Sequence, residues 1–142
     1  MRTSYDRVAG FTEGFEPAGG AIVRIHRGDF SRESGELMAH EALAAGVPAG
    51  TVLFGVSDVV AMGAMSAVRA GGREIGADVA VAGFGDIPTG RDVTPGLTSV
   101  HVPLDLVGFE TLRAATIDEW SADDVAFGLE VVLRDSTPPR SA

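Results

Sequence analysis

The sequence predicts an α/β domain built on a parallel, doubly wound sheet. Two observations carry this. Short apolar runs alternate with helix-length stretches in a β-α-β-α-β order. The runs Thr51–Val56 and Val79–Ala82 are apolar at every position or nearly so, the pattern of strands covered on both faces rather than one.

The elements follow in order. Val8, Phe11 and Phe15 fall at helical spacing over Tyr5–Phe15, and Pro17 with Gly19 and Gly20 ends that helix. Ala21–His26, with Ile22, Val23 and Ile25, reads as a short strand. A helix is predicted from Ser31 to about Ala45, with Ser31 and Ser34 as cap candidates and Gly46 and Pro48 as its stop. Thr51–Val56 is the next strand, and Ser57-Asp58 opens a helix that Gly71 and Gly72 close near Ala70. After the third run, residues 83–96 read as a long loop rich in Gly, Asp, Pro and Thr, a common home for function in this class. Leu97–His101 is a short strand. Pro103 then starts a helix to about Ile117, with Leu104, Val107, Leu112 and Ala115 as its apolar stripe. Ser121–Asp124 reads as a polar turn. Gly128–Arg134 alternates like a strand with one wetter face, and residues 138–142 read as a disordered tail.

Composition narrows the function classes. Apolar residues make up 45% of the 142, enough for a core. No run approaches the roughly 20 apolar residues of a membrane span, and the start lacks a secretory h-region. A cytoplasmic protein is the expectation. Without cysteine there are no disulfides and no thiolate metal sites. The formal charge is −9, and the eleven basic residues, all arginine, lie scattered. Nucleic-acid binding needs clustered cations facing phosphates, so no direct contact with DNA is expected from these residues.

Six stretches add a family likeness: Arg7–Phe11 (Arg-Val-Ala-Gly-Phe), Gly28–Gly35, Val56–Met65, Asp78–Ile87, Thr94–Val100 and Leu129–Thr137. In this order and spacing the chain resembles the effector-binding domain of LacI/GalR-type transcriptional regulators. The resemblance implies a type I periplasmic-binding-protein-like sensor of two α/β lobes with an effector between them. Residues 1–97 correspond to most of the second lobe. Residues 98–137 correspond to the crossover and closing elements shared with the first. Nothing corresponds to the helix-turn-helix, to most of the first lobe or to the first strand of the second lobe. An open sheet edge invites association, so the isolated chain is expected to be marginal, aggregating or partner-dependent.

The same resemblance implies site residues, each with a plainer reading beside it. Arg7 matches an arginine that grips effector hydroxyls or carboxylates, for which a planar fork of donors is suited; otherwise it is an exposed helix arginine. Phe30 matches an aromatic that stacks on the effector; otherwise it is core. Ser57 stands where relatives carry a ligand-binding Asn, with fewer donors to offer. Asp58 is either the cap of the following helix or the edge of the site. Asp86 remains of an acidic pair whose first member, the usual sugar ligand, is here Gly85. Val102 likewise replaces a common Gln. These departures favour an effector with fewer hydroxyls than a hexose. Met62, Met65 and Val93 match positions that pair second lobes into a homodimer, or they pack a core.

The expected function is therefore a small-molecule sensor, for a sugar or a related effector, that controls operator binding by a head outside these residues. A transport-system sugar-binding protein of the same fold is the alternative. An enzyme is the remaining class. Asp29, Asp58, Asp86, His26 and His101 can be assembled into an acid–base site on paper, but no nucleophile elbow, metal spacing or phosphate loop accompanies them. No catalytic residue, cofactor or metal is expected.

Overall fold

A computed structural model describes residues 2–48, 50–116 and 125–139. The elements are α1 (Arg2–Phe15), α2 (Arg32–Ala44), β1 (Thr51–Phe54), α3 (Asp58–Ala70), β2 (Val79–Gly85), a single turn α4 (Thr89–Asp92), β3 (Thr98–His101), α5 (Leu104–Thr116) and β4 (Glu130–Val132). They build one four-stranded sheet in the order β1-β2-β3-β4. The first three strands run parallel, and β4 lies antiparallel to β3.

The pleat gives the sheet one face fully covered by helices and one face partly covered. Leu53 pairs in register with Val81, and Phe54 with Ala82. Val79, Val81 and Leu97 are fully buried against Met65, Val68 and Ala61 of α3, with Leu53 packed beside them. The alternate residues face the other way. There Phe54 stacks on Phe11 of α1, ring centroids 4.6 Å apart. Val52, Phe54, Ala80 and Ala82 on that face are partly buried, so neither side of these strands is fully open to water and the run is apolar throughout.

Helix α2 docks on α3 backbone to backbone. A Cβ on Gly35 would overlap the Val60 carbonyl, and one on Gly63 the Arg32 carbonyl. Ser31 caps α2, its side chain accepting from the Ser34 amide at 3.0 Å. Leu43 lies near Gly71 as Gly35 lies near Val60, so the two helices run in the same direction and begin at the same end of the sheet.

The structure corrects four expectations. Ala21–His26 forms no strand: no ladder includes it, and Val23 and Ile25 are exposed. A β run is stable only with a neighbour to complete its hydrogen bonds, and none of the described strands lies beside it. The loop expected over 83–96 is shorter, because β2 continues to Gly85 and α4 fills part of the rest. The sheet is mostly rather than wholly parallel. Met65 and Met62 lie in the core, with 0% and 7% of their surface exposed, so these side chains are taken up inside the chain rather than offered to a second copy.

The end of the described chain is threaded through the sheet. Ser136 is fully buried. Its Oγ donates to the Val81 carbonyl at 2.7 Å and accepts from the Thr98 amide at 2.8 Å. Its carbonyl accepts from the Val81 amide. Helix α5 is different: it buries none of its residues, and Leu104, Phe109 and Leu112 are exposed. The polar turn expected at Ser121–Asp124 and the end of the expected tail, 140–142, fall outside the described residues.

Candidate functional site

Open α/β sheets bind ligands at the carboxyl ends of their strands, and several of the predicted residues meet there. Arg7 reaches from α1 over that edge. Its Nη1 donates to the Val56 carbonyl, just beyond β1, at 2.6 Å. Its guanidinium carbon lies 4.1 Å from the ring centroid of Phe84 in β2, a cation–π distance. One half-buried side chain thus ties two strand ends. Among the described residues, Nε and Nη2 make no hydrogen bond.

Ser57 and Asp58 follow β1, and here the sequence reading is corrected. The cap of α3 is Ser57, in extended conformation, its side chain accepting from the Val60 amide at 3.4 Å. Asp58 is already helical and 1% exposed. Its Oδ2 accepts from the Ile87 amide at 2.8 Å, and its Oδ1 from Ser99 Oγ at 2.5 Å. A carboxylate in this position does not cap a helix; it fastens β1, the turn after β2, and β3 together. Gly83 makes room for it, since a Cβ there would overlap Oδ1.

Asp86 is the second buried carboxylate of this edge. Gly85 precedes it at φ 128°, a backbone region few L residues enter, and Asp86 itself sits at φ 49°. Its amide donates to Ser99 Oγ at 3.0 Å. Its Oδ1 accepts from Arg134 Nη2 at 2.5 Å. Its Oδ2 receives Arg91 Nη2 at 3.1 Å and His101 Nδ1 at 3.2 Å. Burial acts to raise the Asp86 pKa, but the hydrogen bonds and charges of Arg134 and Arg91 outweigh it and hold the group below its ordinary value. Arg134 also donates to the Leu97 carbonyl at 2.5 Å. Arg134 is 48 residues from Asp86 along the chain.

The other predicted residues make no hydrogen bond or ion pair with this cluster among the described residues. Phe30 is about half exposed in the bend before the Ser31 cap, at the helix-start end of the layer. Val93 is partly buried against the core. His26 lies 3.7 Å from Glu41, and Asp29 is exposed. Of the paper acid–base set, only Asp58, Asp86 and His101 come together, and both carboxylates are buried and already accept from donors of this chain. Among the described residues no group of three His, Asp or Glu side chains is placed to hold a metal ion.

Ser99, Arg91 and Arg134 were not foreseen. Serine inside a strand carries no signal of a buried carboxylate opposite it, and an arginine ending an alternating run reads as solvated.

The comparisons agree with this architecture. The transcriptional regulator CelR of Thermobifida fusca is 32% identical over 115 residues, covering 80% of this chain and 34% of that protein. The solved CelR–cellobiose complex superposes with a TM-score of 0.80 at 28% identity, over 93% of this chain and 42% of the other. The transcriptional repressor PurR of Escherichia fergusonii is 34% identical over 111 residues, 75% of this chain and 31% of its own. A dimeric Lac repressor shares the fold at a TM-score of 0.87 and 23% identity, over 95% of this chain and 51% of that one. The chain thus spans about a third of the curated relatives it matches. With residues 2–137 matching the periplasmic binding protein-like domain, this chain belongs to that family, and its relatives there are LacI-type transcriptional regulators.

Proposed function

We propose that this chain is the ligand-sensing part of a LacI-type transcriptional regulator, and that its strand-end cluster forms one wall of the effector site. The observation that carries the reading is Arg7, anchored on Val56 and Phe84 with donors to spare. An arginine prepared in this way suits a hydroxylated or anionic small molecule. Cellobiose in the CelR complex makes a sugar or sugar derivative the first class to test. Ser57 and Phe30 would line the same wall, and Asp86 would shape it from below rather than bind directly, since its oxygens are taken.

Residues 1–97 would supply most of one lobe, with β3, β4 and the Arg134–Thr137 strap completing its sheet. Helix α5, which buries none of its residues, would belong to the companion lobe. Effector binding between lobes would then bias operator binding by a helix-turn-helix head, as differential affinity for two states requires. The regulator would be cytoplasmic, non-enzymatic and homodimeric. Val93 remains a candidate for pairing, whereas Met62 and Met65 do not. Among the described residues no helix is long and apolar enough to cross a membrane. The transport-protein alternative has less support, because the relatives compared above are regulators.

The test is a thermal-shift series with cellobiose, glucose and gluconate on the chain and on Arg7→Ala. A binder raises stability by RT ln(1 + [L]/Kd), about 2.7 kcal/mol at a hundredfold excess over Kd. Arg7→Ala should weaken the response about tenfold or more. A shift unchanged by that substitution removes Arg7 from the site.

A further inference from the structure

We propose that His101 contacts the effector directly, with Nε2 as a hydrogen-bond acceptor that the fold holds in one orientation. The inference rests on the reading of this edge as an effector site and names a residue for it. His101 is the last residue of β3, in register with Gly85 and one place beyond Val100, which pairs with Phe84 beneath Arg7. Its Nδ1 lies 3.2 Å from Asp86 Oδ2. Asp86 is ionised and wedged among Arg134, Arg91 and the ring, and a carboxylate can only accept. The ring hydrogen therefore sits on Nδ1, and in the neutral ring Nε2 carries the lone pair. A carboxylate behind an imidazole fixes tautomer and orientation in this way. The His101 side chain is 42% exposed, and Nε2 makes no hydrogen bond among the described residues.

The rest of the edge explains why that lone pair matters. Both Asp58 oxygens accept from Ser99 and Ile87, and both Asp86 oxygens from the basic groups around them. Ser57 Oγ accepts from Val60. Arg7 and Arg91 still hold unused N–H groups. Of the side-chain acceptors at this edge, Asp58 and Asp86 are buried and already accept from this chain, whereas His101 is part-exposed and its Nε2 makes no hydrogen bond among the described residues. Around the ring stand Asp86, Arg91 on the same carboxylate oxygen, and Glu130 of β4, opposite in register and exposed. A ligand with acceptor oxygens for the arginine and a hydroxyl for His101 fits: a polyol or a hydroxy acid.

The experiment has two arms on the full chain. First, a long-range proton–nitrogen spectrum of ¹⁵N-labelled protein should place the hydrogen of the neutral His101 ring on Nδ1; a hydrogen on Nε2 overturns the proposal. Second, cellobiose, glucose and gluconate are titrated against the parent, His101→Phe, His101→Gln and Arg7→Ala. For a probe that binds, His101→Phe should weaken affinity about tenfold, the scale of one polar contact left unmade. His101→Gln, whose amide oxygen also accepts, should recover most of it. Unchanged binding by His101→Phe, with binding lost in Arg7→Ala, defeats this inference and leaves the effector-site reading intact. If none of the three probes binds the parent, both fall.

Discussion

Ser99 Oγ donates to Asp58 Oδ1 at 2.5 Å and accepts from the Asp86 amide at 3.0 Å, so one hydroxyl joins the two buried carboxylates of the strand-end edge. Asp58 lies 41 residues before it and Asp86 13. Removing the hydroxyl leaves a buried carboxylate short of a donor and a buried amide short of an acceptor. Ser99→Ala is therefore expected to destabilise by about 2 kcal/mol, within the range for unsatisfied buried groups. Chemical denaturation checks it through the midpoint at constant m-value. A change below about 0.5 kcal/mol, the size of an ordinary surface substitution, would show that the bridge contributes little.

Parts of this arrangement could be read from the chain before any coordinates. Val79 and Val81 belong to a run with no polar alternation, and the physical cause is full burial of their face with partial cover over Ala80 and Ala82 on the other. Ser31, followed by Arg32-Glu33-Ser34, announced a cap because capping is local. What was misread depends on distant partners. Ala21–His26 has strand composition, but a strand exists only with a neighbour, and composition does not name one. Ser57 and Asp58 are both capping residue types. Which of them caps is decided by where Asp58 finds its partners, Ile87 and Ser99, and those lie 29 and 41 residues away. Met62 and Met65 show helical spacing, which identifies a face without saying whether it meets β2 or another molecule. Asp86 was singled out by resemblance, yet its saturation by Arg91 and Arg134 depends on a tertiary meeting at 48 residues' separation.

Asp86 also sets an acid limit. Its folded-state pKa lies below the ordinary 3.8 because Arg134 and Arg91 outweigh burial. A carboxyl depressed on folding stabilises the native state at pH values above its unfolded pKa. That contribution declines as pH falls from about 3.8 through the lower folded value, where both states become protonated. Asp86→Asn removes the charge and leaves Arg134 poorly paired. Its deficit against the parent should therefore be largest near neutrality and shrink on acidification below the ordinary value. Thermal midpoints of both proteins from neutral pH downward provide the measurement. A difference that stays constant to the lowest pH, or widens there, would mean that Asp86 is not held as a depressed carboxylate.

The exposed apolar residues argue for a missing partner rather than for a loosely packed domain. Phe109 and Leu112 on α5 are 63% and 66% exposed, and Leu133 beyond β4 is 75% exposed, while Met65, Val68 and Leu97 are sealed. A patch of large apolar side chains marks a contact surface or an aggregation hazard. Each costs roughly 1.5–3 kcal/mol of unrealised burial, so association should follow whenever concentration allows. Sedimentation of the isolated chain is expected to show species larger than a monomer, growing with concentration. The double variant Phe109→Ser with Leu112→Ser should reduce that association. It should leave the melting temperature of the sheet nearly unchanged, because α5 buries none of its residues. A monodisperse monomer for the parent would refute the prediction. So would a melting temperature that collapses in the variant, because it would mean that α5 is part of the core.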